Sequence, residues 1–182
     1  GLNASAVITD HAIGVKAATK HLIESGHRDI AFISGAANVY TTRNRIKGFS
    51  EAFAEAGLAL PEKLIALGGF DAEYALIHAR HFLLKNPRPS AFIAGGIGST
   101  AGVVRAFNEM NLKIGSDIAL VALDEWPLFD VFATEISSVY RDPEAIGSEA
   151  AHLILEVLNG NEPRESVIDT KFTARASSQG AR

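Results

Sequence analysis

The stretch Gly26-His27-Arg28-Asp29-Ile30-Ala31-Phe32-Ile33-Ser34-Gly35 decides the fold of this chain. Its first glycine suits the end of a helix, and the apolar run from Ile30 to Ile33 is typical of a fully buried strand. Ten residues further on, Arg45-Ile46-Lys47-Gly48-Phe49 lies at the start of the next predicted helix. This layout places a cation at the carboxyl edge of a parallel strand, where open α/β sheets bind small ligands.

Strand and helix patterns alternate along the chain. Short apolar segments predict strands near 6–8, 30–33, 64–67, 91–94, 118–123 and 137–140, and a last extended segment near 167–174. Apolar residues at helical spacing predict helices near 12–25, 42–56, 72–85, 99–110 and 143–158. The alternation predicts an α/β fold, a doubly wound parallel sheet covered by helices. The last helix is expected to bury five apolar residues, Ile146, Leu153, Ile154, Val157 and Leu158.

Length and composition set the class of protein. With 182 residues, 47% of them apolar and 21% charged, the chain can form one globular domain or two small lobes. A net charge of −4 gives no basic surface for nucleic acid, so any DNA contact would require residues outside this chain. The absence of cysteine excludes disulfides and thiolate metal sites. Without a membrane-length apolar run or a secretory signal, a cytoplasmic protein with no membrane partner is expected.

Polar and aromatic residues follow successive predicted strands at one edge of the sheet. A guanidinium offers a planar fork of donors, a carboxylate accepts from hydroxyl or ring N–H groups, and an aromatic ring covers an apolar ligand face. This combination predicts a site for a small polar ligand such as a sugar or a purine. The candidate contacts are Thr41, Arg45, Phe70, Gly96, Asp124 and Trp126.

Several of these candidates also have a purely structural interpretation. Arg45 could be a solvated helix residue paired with Glu51 or Asp71. Asp124 could cap the turn that precedes Pro127. The two aromatic candidates could pack in the core beneath the loops.

The glycine-rich segment Gly96-Ile97-Gly98-Ser99-Thr100-Ala101-Gly102 follows a predicted strand and begins a helix. It is similar to a loose dinucleotide-binding fingerprint, but it comes late in the chain. The acidic residue at a suitable distance, Asp117, precedes its strand instead of ending it. No nicotinamide cofactor is therefore expected, although N–H groups at this helix start could receive an anionic group of a ligand.

The sequence gives no support for catalysis. Its six histidines show no metal-ligand spacing with acidic partners, and no nucleophile elbow is present. We therefore expect a binding protein instead of an enzyme, with no metal and no cofactor.

An ordered series of motifs resembles the effector-binding domain of bacterial transcription regulators of the lactose-repressor/galactose-repressor family. The resemblance covers nearly the whole chain, and its specificity comes from the order of the pieces. These are Val7-Ile8-Thr9-Asp10, Gly26-His27-Arg28-x-Ile30, Arg45-x-x-Gly48-Phe49, Ile118 to Glu125, Ile146-Gly147 and Arg175-x-Ser177.

The resemblance implies a periplasmic-binding-protein-like fold and a role for several side chains. It places the ligand-contacting arginine at Arg45, the aspartate at Asp124, the stacking aromatic at Phe70 and a hydroxyl contact at Thr41. It further implies a homodimeric regulator whose small-molecule effector alters DNA binding by a helix-turn-helix domain that this chain does not contain.

The sequence departs from the family pattern at Gly96-Ile97, where such regulators often carry Asn-Asp that binds sugar hydroxyls. Both polar side chains are absent here, while Arg43 and Arg45 are predicted to lie nearby. An acidic or phosphorylated sugar is therefore the expected effector, in preference to a neutral one.

The expected division of the chain is a complete lobe with an incomplete second lobe. Residues 28–139 with 163–182 are assigned to the C-terminal effector-binding lobe, and 1–27 with 140–162 to a remnant of the N-terminal lobe. Such a fragment is expected to expose apolar surface. The alternative function is that of a periplasmic solute-binding protein for sugar transport, which shares the two-lobe design.

Overall fold

The computed structural model describes residues 4–179, and in this range the predicted alternation of strands and helices is present. None of the helices in the described range has the length and apolar character needed to cross a bilayer. The strands are β1 (Ala6–Asp10), β2 (Ile30–Gly35), β3 (Ile65–Gly68), β4 (Ala91–Ala94), β5 (Ala119–Leu123), β6 (Ser137–Tyr140), β7 (Glu165–Asp169) and β8 (Lys171–Thr173). The helices are α1 (His11–Glu24), α2 (Tyr40–Glu55), α3 (Ala72–Leu83), α4 (Ile97–Glu109) and α5 (Pro143–Leu158).

Six of the strands form the main sheet, in the order β3-β2-β4-β5-β6-β8. Neighbouring strands are parallel except for the last pair, in which β8 runs antiparallel to β6. The register aligns Gly35 with Gly68 and Ala94 with Ala122, so the carboxyl ends of the parallel strands lie at one edge. The predicted doubly wound α/β fold is confirmed.

Apolar side chains alternate between the two faces of the main sheet. Helices α1 and α2 cover one face, where Phe32, Phe49 and Phe53 form a chain of rings with centroids 4.9 and 5.0 Å apart. Helices α3 and α4 cover the other face, where Phe92 packs edge-on against Phe107. Buried strands with apolar residues on both faces are typical of parallel sheets.

Aspartates begin three of the helices. The side chains of Asp10, Asp71 and Asp142 accept hydrogen bonds from first-turn N–H groups of α1, α3 and α5, respectively. Side-chain caps of this kind satisfy N–H groups that have no partner within the helix.

A second, smaller unit contains the parallel pair β1-β7, with α5 packed against it. The chain crosses between this unit and the main sheet at three places: from β1 to α1, from β6 to α5 and from β7 to β8. Thr170 links two of the crossings, because its hydroxyl donates to the Asp10 carbonyl at 2.8 Å and accepts from the Gly14 N–H at 3.1 Å.

The division between the two units differs from the predicted one in two segments. Residues 11–24, expected in the N-terminal remnant, form α1, whose Val15 and Leu22 are fully buried against the main sheet. Residues 165–169, expected in the C-terminal lobe, pair with β1. The crossing at Thr170 splits the single extended segment that the sequence predicts, because its two halves pair with strands of different units.

The apolar surface of α5 is largely uncovered, which agrees with the expected exposure of apolar surface but not with the predicted burial of five apolar residues of this helix. Only Leu153 of the five residues predicted to be buried lies in the core, while the side chains of Ile154 and Leu158 are 61% and 76% exposed. The small unit has only two strands in the described range, so its sheet is too narrow to cover the whole apolar side of a 16-residue helix.

Candidate functional site

Arg45 lies in the first turns of α2 and reaches the carboxyl edge of the main sheet. It is buried, with its Nη1 donating to the Gly95 carbonyl at 2.8 Å and its Nη2 to Oδ2 of Asp124 at 3.3 Å. Burial lowers the pKa of Arg45, while Asp124 opposes this shift. A guanidinium stays charged even so. Arg45 is thus a fixed buried cation and pairs with neither Glu51 nor Asp71.

Asp124 directly follows β5, and its carboxylate is shared between two arginines. Oδ2 accepts from Arg45, and Oδ1 accepts from Nε of Arg141 at 2.7 Å. The backbone of Asp124 has a φ of +104°. Such a conformation costs a non-glycine residue on the order of 1–3 kcal/mol and is concentrated at functional positions.

Phe70 and Gly96 lie beside this ion pair. The ring of Phe70 covers Gly35 so closely that a Cβ there would lie 2.1 Å from the ring, and its centroid is 5.9 Å from Cζ of Arg45. A Cβ on Gly96 would lie 3.7 Å from Phe70 and 3.9 Å from the carboxylate of Asp124. The structure therefore brings Arg45, Phe70, Gly96 and Asp124 together.

Two cavities separate this edge of the sheet from the small unit. One, of about 400 Å³, is lined by Asp124, Glu125 and Arg141 and by apolar groups that include Ile97 and Ile146. The other, of about 410 Å³, is lined by polar side chains, namely those of Thr9, His11, Tyr40, Thr41 and Arg141, and by the strand residues Val7 and Ile8. Thr41 lies in this second cavity, and Arg141 borders both.

Trp126 lines neither of these two cavities. It lines a separate cavity of about 630 Å³ together with Phe129, Phe132 and Arg175. Its ring packs edge-on against Phe129 with centroids 6.4 Å apart, and it contacts the apolar core beside α3 and α4. This cavity shares Glu125, Tyr140 and Pro143 with the cavity that Asp124 lines, and the role of Trp126 as a ligand contact stays a prediction.

Sequence reasoning missed His11, the first residue of α1. Its side chain is buried, and desolvation, followed by the positive charges of Arg45 and Arg141, lowers its pKa to about 4. The imidazole is therefore neutral at pH 7. Its position immediately after the end of β1 is the signal in the sequence that marks it.

Sequence reasoning also missed Arg141, which immediately follows β6. The signal was present, because β6 is a further parallel strand whose carboxyl end lies at the same edge as that of β5. Among residues 4–179, no group of three or more acidic or histidine side chains is arranged to hold a metal ion.

A cleft at the carboxyl edge of a parallel sheet, facing a second unit joined by three crossings, defines a two-lobed ligand-binding domain. The chain belongs to the periplasmic binding protein-like domain family, whose profile matches residues 19–178. Within it, the chain is an effector-binding domain of the lactose-repressor/galactose-repressor type, as the following relatives establish.

The relatives are transcription regulators. The transcriptional repressor PurR of Klebsiella pneumoniae (strain 342) is 30% identical over 163 residues, covering 89% of this chain and 48% of that protein. A LacI-family regulatory protein from Chloroflexus aggregans superposes with a TM-score of 0.88 at 26% identity, covering 96% of this chain and 63% of the other. The transcriptional regulator CelR in complex with cellobiose superposes with a TM-score of 0.87 at 28% identity, covering 96% of this chain and 54% of the other. The chain spans about half the length of the curated relatives it matches.

Proposed function

We propose that this chain is the ligand-sensing domain of a bacterial transcription regulator and not an enzyme. It binds a small polar effector in the cleft and thereby changes DNA binding by a helix-turn-helix domain outside this chain. The observation that carries the proposal is the ion pair of the buried Arg45 with Asp124, whose carboxylate lines a cavity at the carboxyl edge of the sheet. The regulators among the relatives support the same conclusion.

The chemistry of the cleft suits a hydroxylated ring. Asp124 presents carboxylate oxygens that can accept from ligand hydroxyls, and Phe70, which is 38% exposed, offers a ring face to the apolar side of a sugar. Thr41 in the adjoining cavity adds a hydroxyl. Gly96 leaves the backbone open and begins α4, whose first-turn N–H groups carry a partial positive charge.

The charges favour an acidic or phosphorylated sugar over a neutral one. Two guanidinium groups, those of Arg45 and Arg141, share the single carboxylate of Asp124. The neighbouring Glu125 is paired with Arg175. The two guanidinium groups thus outnumber the carboxylate that they share, and an anionic group on the ligand would give them a second acceptor.

The three crossings supply a way to couple binding to regulation. Short crossing segments can change their backbone angles while the two units stay intact, which is how hinged domains close on a ligand. Closure would alter the geometry that a dimer of the regulator presents to DNA. A coupling of this kind is typically about 1–3 kcal/mol.

A homodimer is the proposed assembly. The apolar side chains that α5 and β7 leave uncovered, such as Leu155 and Val167, offer a surface for contact between two copies. Light scattering at high concentration should therefore detect self-association, and a strictly monomeric chain would speak against it.

Calorimetric titration tests the proposed function. The 182-residue chain is titrated with neutral hexoses, hexuronic acids, sugar phosphates and purines. Replacing Asp124→Asn should weaken the tightest ligand by about 10- to 150-fold, the loss of one charge-assisted hydrogen bond. The matched control is Asp29→Asn, an exposed residue before β2 and outside the cleft, which should bind as the wild type does.

Two outcomes would contradict this function. Tighter binding of neutral hexoses than of sugar acids and sugar phosphates rejects the acidic class of effector. Equal affinities in Asp124→Asn and wild type, with both variants folded by circular dichroism, reject the cleft as the binding site.

A further inference from the structure

Arg141 is the guanidinium of the cleft that remains available to a ligand. Its side chain is 45% exposed and borders both cavities. Nε donates to Oδ1 of Asp124 at 2.7 Å, which fixes the plane of the group. Toward the side chains and backbone that the structure describes, the two Nη nitrogens of Arg141 make no hydrogen bond, so their N–H donors can bind an acceptor in either cavity.

Arg45 is much less accessible to a ligand than Arg141. Its side chain is only 4% exposed, and both of its Nη nitrogens already donate, one to Gly95 and one to Asp124. A ligand group could replace those acceptors only by uncovering a buried charge, which is costly.

The acidic groups around Arg141 are committed to other partners. Asp10 accepts from the Ala12 N–H and Asp142 from two N–H groups of α5, so both act as helix caps. Glu125 pairs with Arg175, and the second oxygen of Asp124 accepts from Arg45. Among these carboxylates, only that of Asp124 accepts a hydrogen bond from Arg141, and it does so from Nε.

We propose that Arg141 recognises an anionic substituent of the effector, a carboxylate or a phosphate group, through its free Nη donors. The proposal rests on the function proposed above and assigns its charge selectivity to one residue. A guanidinium presents parallel N–H groups whose spacing matches the oxygens of both anions. Because Asp124 holds Nε, the fork is oriented before the ligand arrives, and less conformational entropy is lost on binding.

The arrangement makes neutral and anionic ligands respond differently to loss of Arg141. An anionic ligand loses its charged hydrogen bonds. A neutral ligand loses no partner, and Oδ1 of Asp124 becomes free to accept from one of its hydroxyls. Arg141 therefore determines specificity, whereas Asp124 contributes to the binding of both kinds of ligand.

Matched ligand pairs test this assignment. Calorimetry compares galactose with galacturonate and glucose with glucose 6-phosphate, on the wild-type chain and on Arg141→Gln. The anionic member that the wild type prefers should bind about 10- to 150-fold more weakly to the variant, while its neutral counterpart binds at least as well as before. Loss confined to the galacturonate pair identifies a carboxylate, and loss confined to the phosphate pair identifies a phosphoryl group.

The control variant removes a positive charge near the cleft but outside it. Arg43→Gln serves this purpose, because Arg43 is exposed, donates to the Asn38 carbonyl and lines neither cavity. It should retain the wild-type preference for the anionic ligand. Arg141→Lys, which keeps the charge and loses the fork, should recover part of the affinity that Arg141→Gln loses.

Three results would overturn the assignment. The first is a wild type that prefers neither anionic ligand. The second is an Arg141→Gln variant that keeps the wild-type preference. The third is an equal loss of affinity for neutral and anionic ligands in this variant. If neutral sugars still bind and still depend on Asp124, the cleft remains the effector site and only the role of Arg141 fails. If no sugar affinity depends on Asp124, the proposed function fails as well.

Discussion

Asp124 is the residue on which the cleft depends, and sequence reasoning located it only in part. The sequence shows that Asp124 directly follows a buried strand. Because the carboxyl ends of parallel strands meet at one edge, it also predicts that Asp124 lies near the ends of other strands. Its sharing by two arginines could not be predicted, because Arg45 and Arg141 lie 79 and 17 residues away and reach it from different elements. The positive φ of Asp124 could not be predicted either, because packing with residues distant in sequence imposes it.

His11 makes the free energy of unfolding depend on pH. Its pKa falls from 6.5 to about 4 on folding, so between these values the unfolded chain takes up a proton that the folded chain excludes. The free energy of unfolding should therefore decrease as the pH falls from 6.5 to 4. Below pH 4, His11 should make no further change to it. At about 1.4 kcal/mol per pH unit, the total contribution is on the order of 3 kcal/mol.

Urea denaturation across this pH range, compared with His11→Asn, measures this contribution. The variant should lose less stability on acidification than the wild type. His27 and His78, whose pKa values burial also lowers, contribute equally to both proteins and cancel in the difference. Equal pH dependence in His11→Asn and wild type would contradict the assignment.

Among the elements, α2 shows why a short motif predicts so much. Within Arg45-x-x-Gly48-Phe49, one turn of helix directs the arginine into the cleft, the glycine against α1 and the phenylalanine into the core. These three directions follow from helical periodicity and could be predicted. The exposed side of α5 and the position of β7 could not be predicted in this way. Both depend on the pairing of β1 with β7, and these two strands are more than 150 residues apart in sequence.

The close contact of α2 with α1 requires glycine at position 48. A Cβ on Gly48 would lie 2.2 Å from the carbonyl oxygen of Ala12, which is backbone and cannot move aside alone. Gly48→Ala should therefore lower the free energy of unfolding by about 1–3 kcal/mol, despite the better helix propensity of alanine. Chemical denaturation of the variant measures this loss.

Gly147→Ala is the matched control for that substitution. Gly147 is also a helical glycine, but no atom lies within 4 Å of a Cβ built there. Its replacement should raise the free energy of unfolding by roughly 0.5–1 kcal/mol. If both variants were stabilised, the close packing of α1 on α2 would be contradicted.

At the scale of the whole molecule, the site belongs to the boundary between two units. Loops at one edge of the main sheet supply Phe70, Gly96 and Asp124, helix α2 supplies Arg45, and the crossing from β6 to α5 supplies Arg141. Composition and periodicity predict the sheet and its edge correctly, since each strand is marked locally. The boundary between the units escapes such reasoning, because it is set by which strands pair across long stretches of chain.

The crystal structure of the chain with the tightest sugar acid or sugar phosphate tests most directly whether one cleft binds the effector. The ring of the ligand should lie against Phe70, with a hydroxyl within hydrogen-bond distance of Asp124 and its anionic group beside Arg141. A ligand seated instead among Trp126, Phe129 and Phe132, without contact to Asp124, would contradict the account.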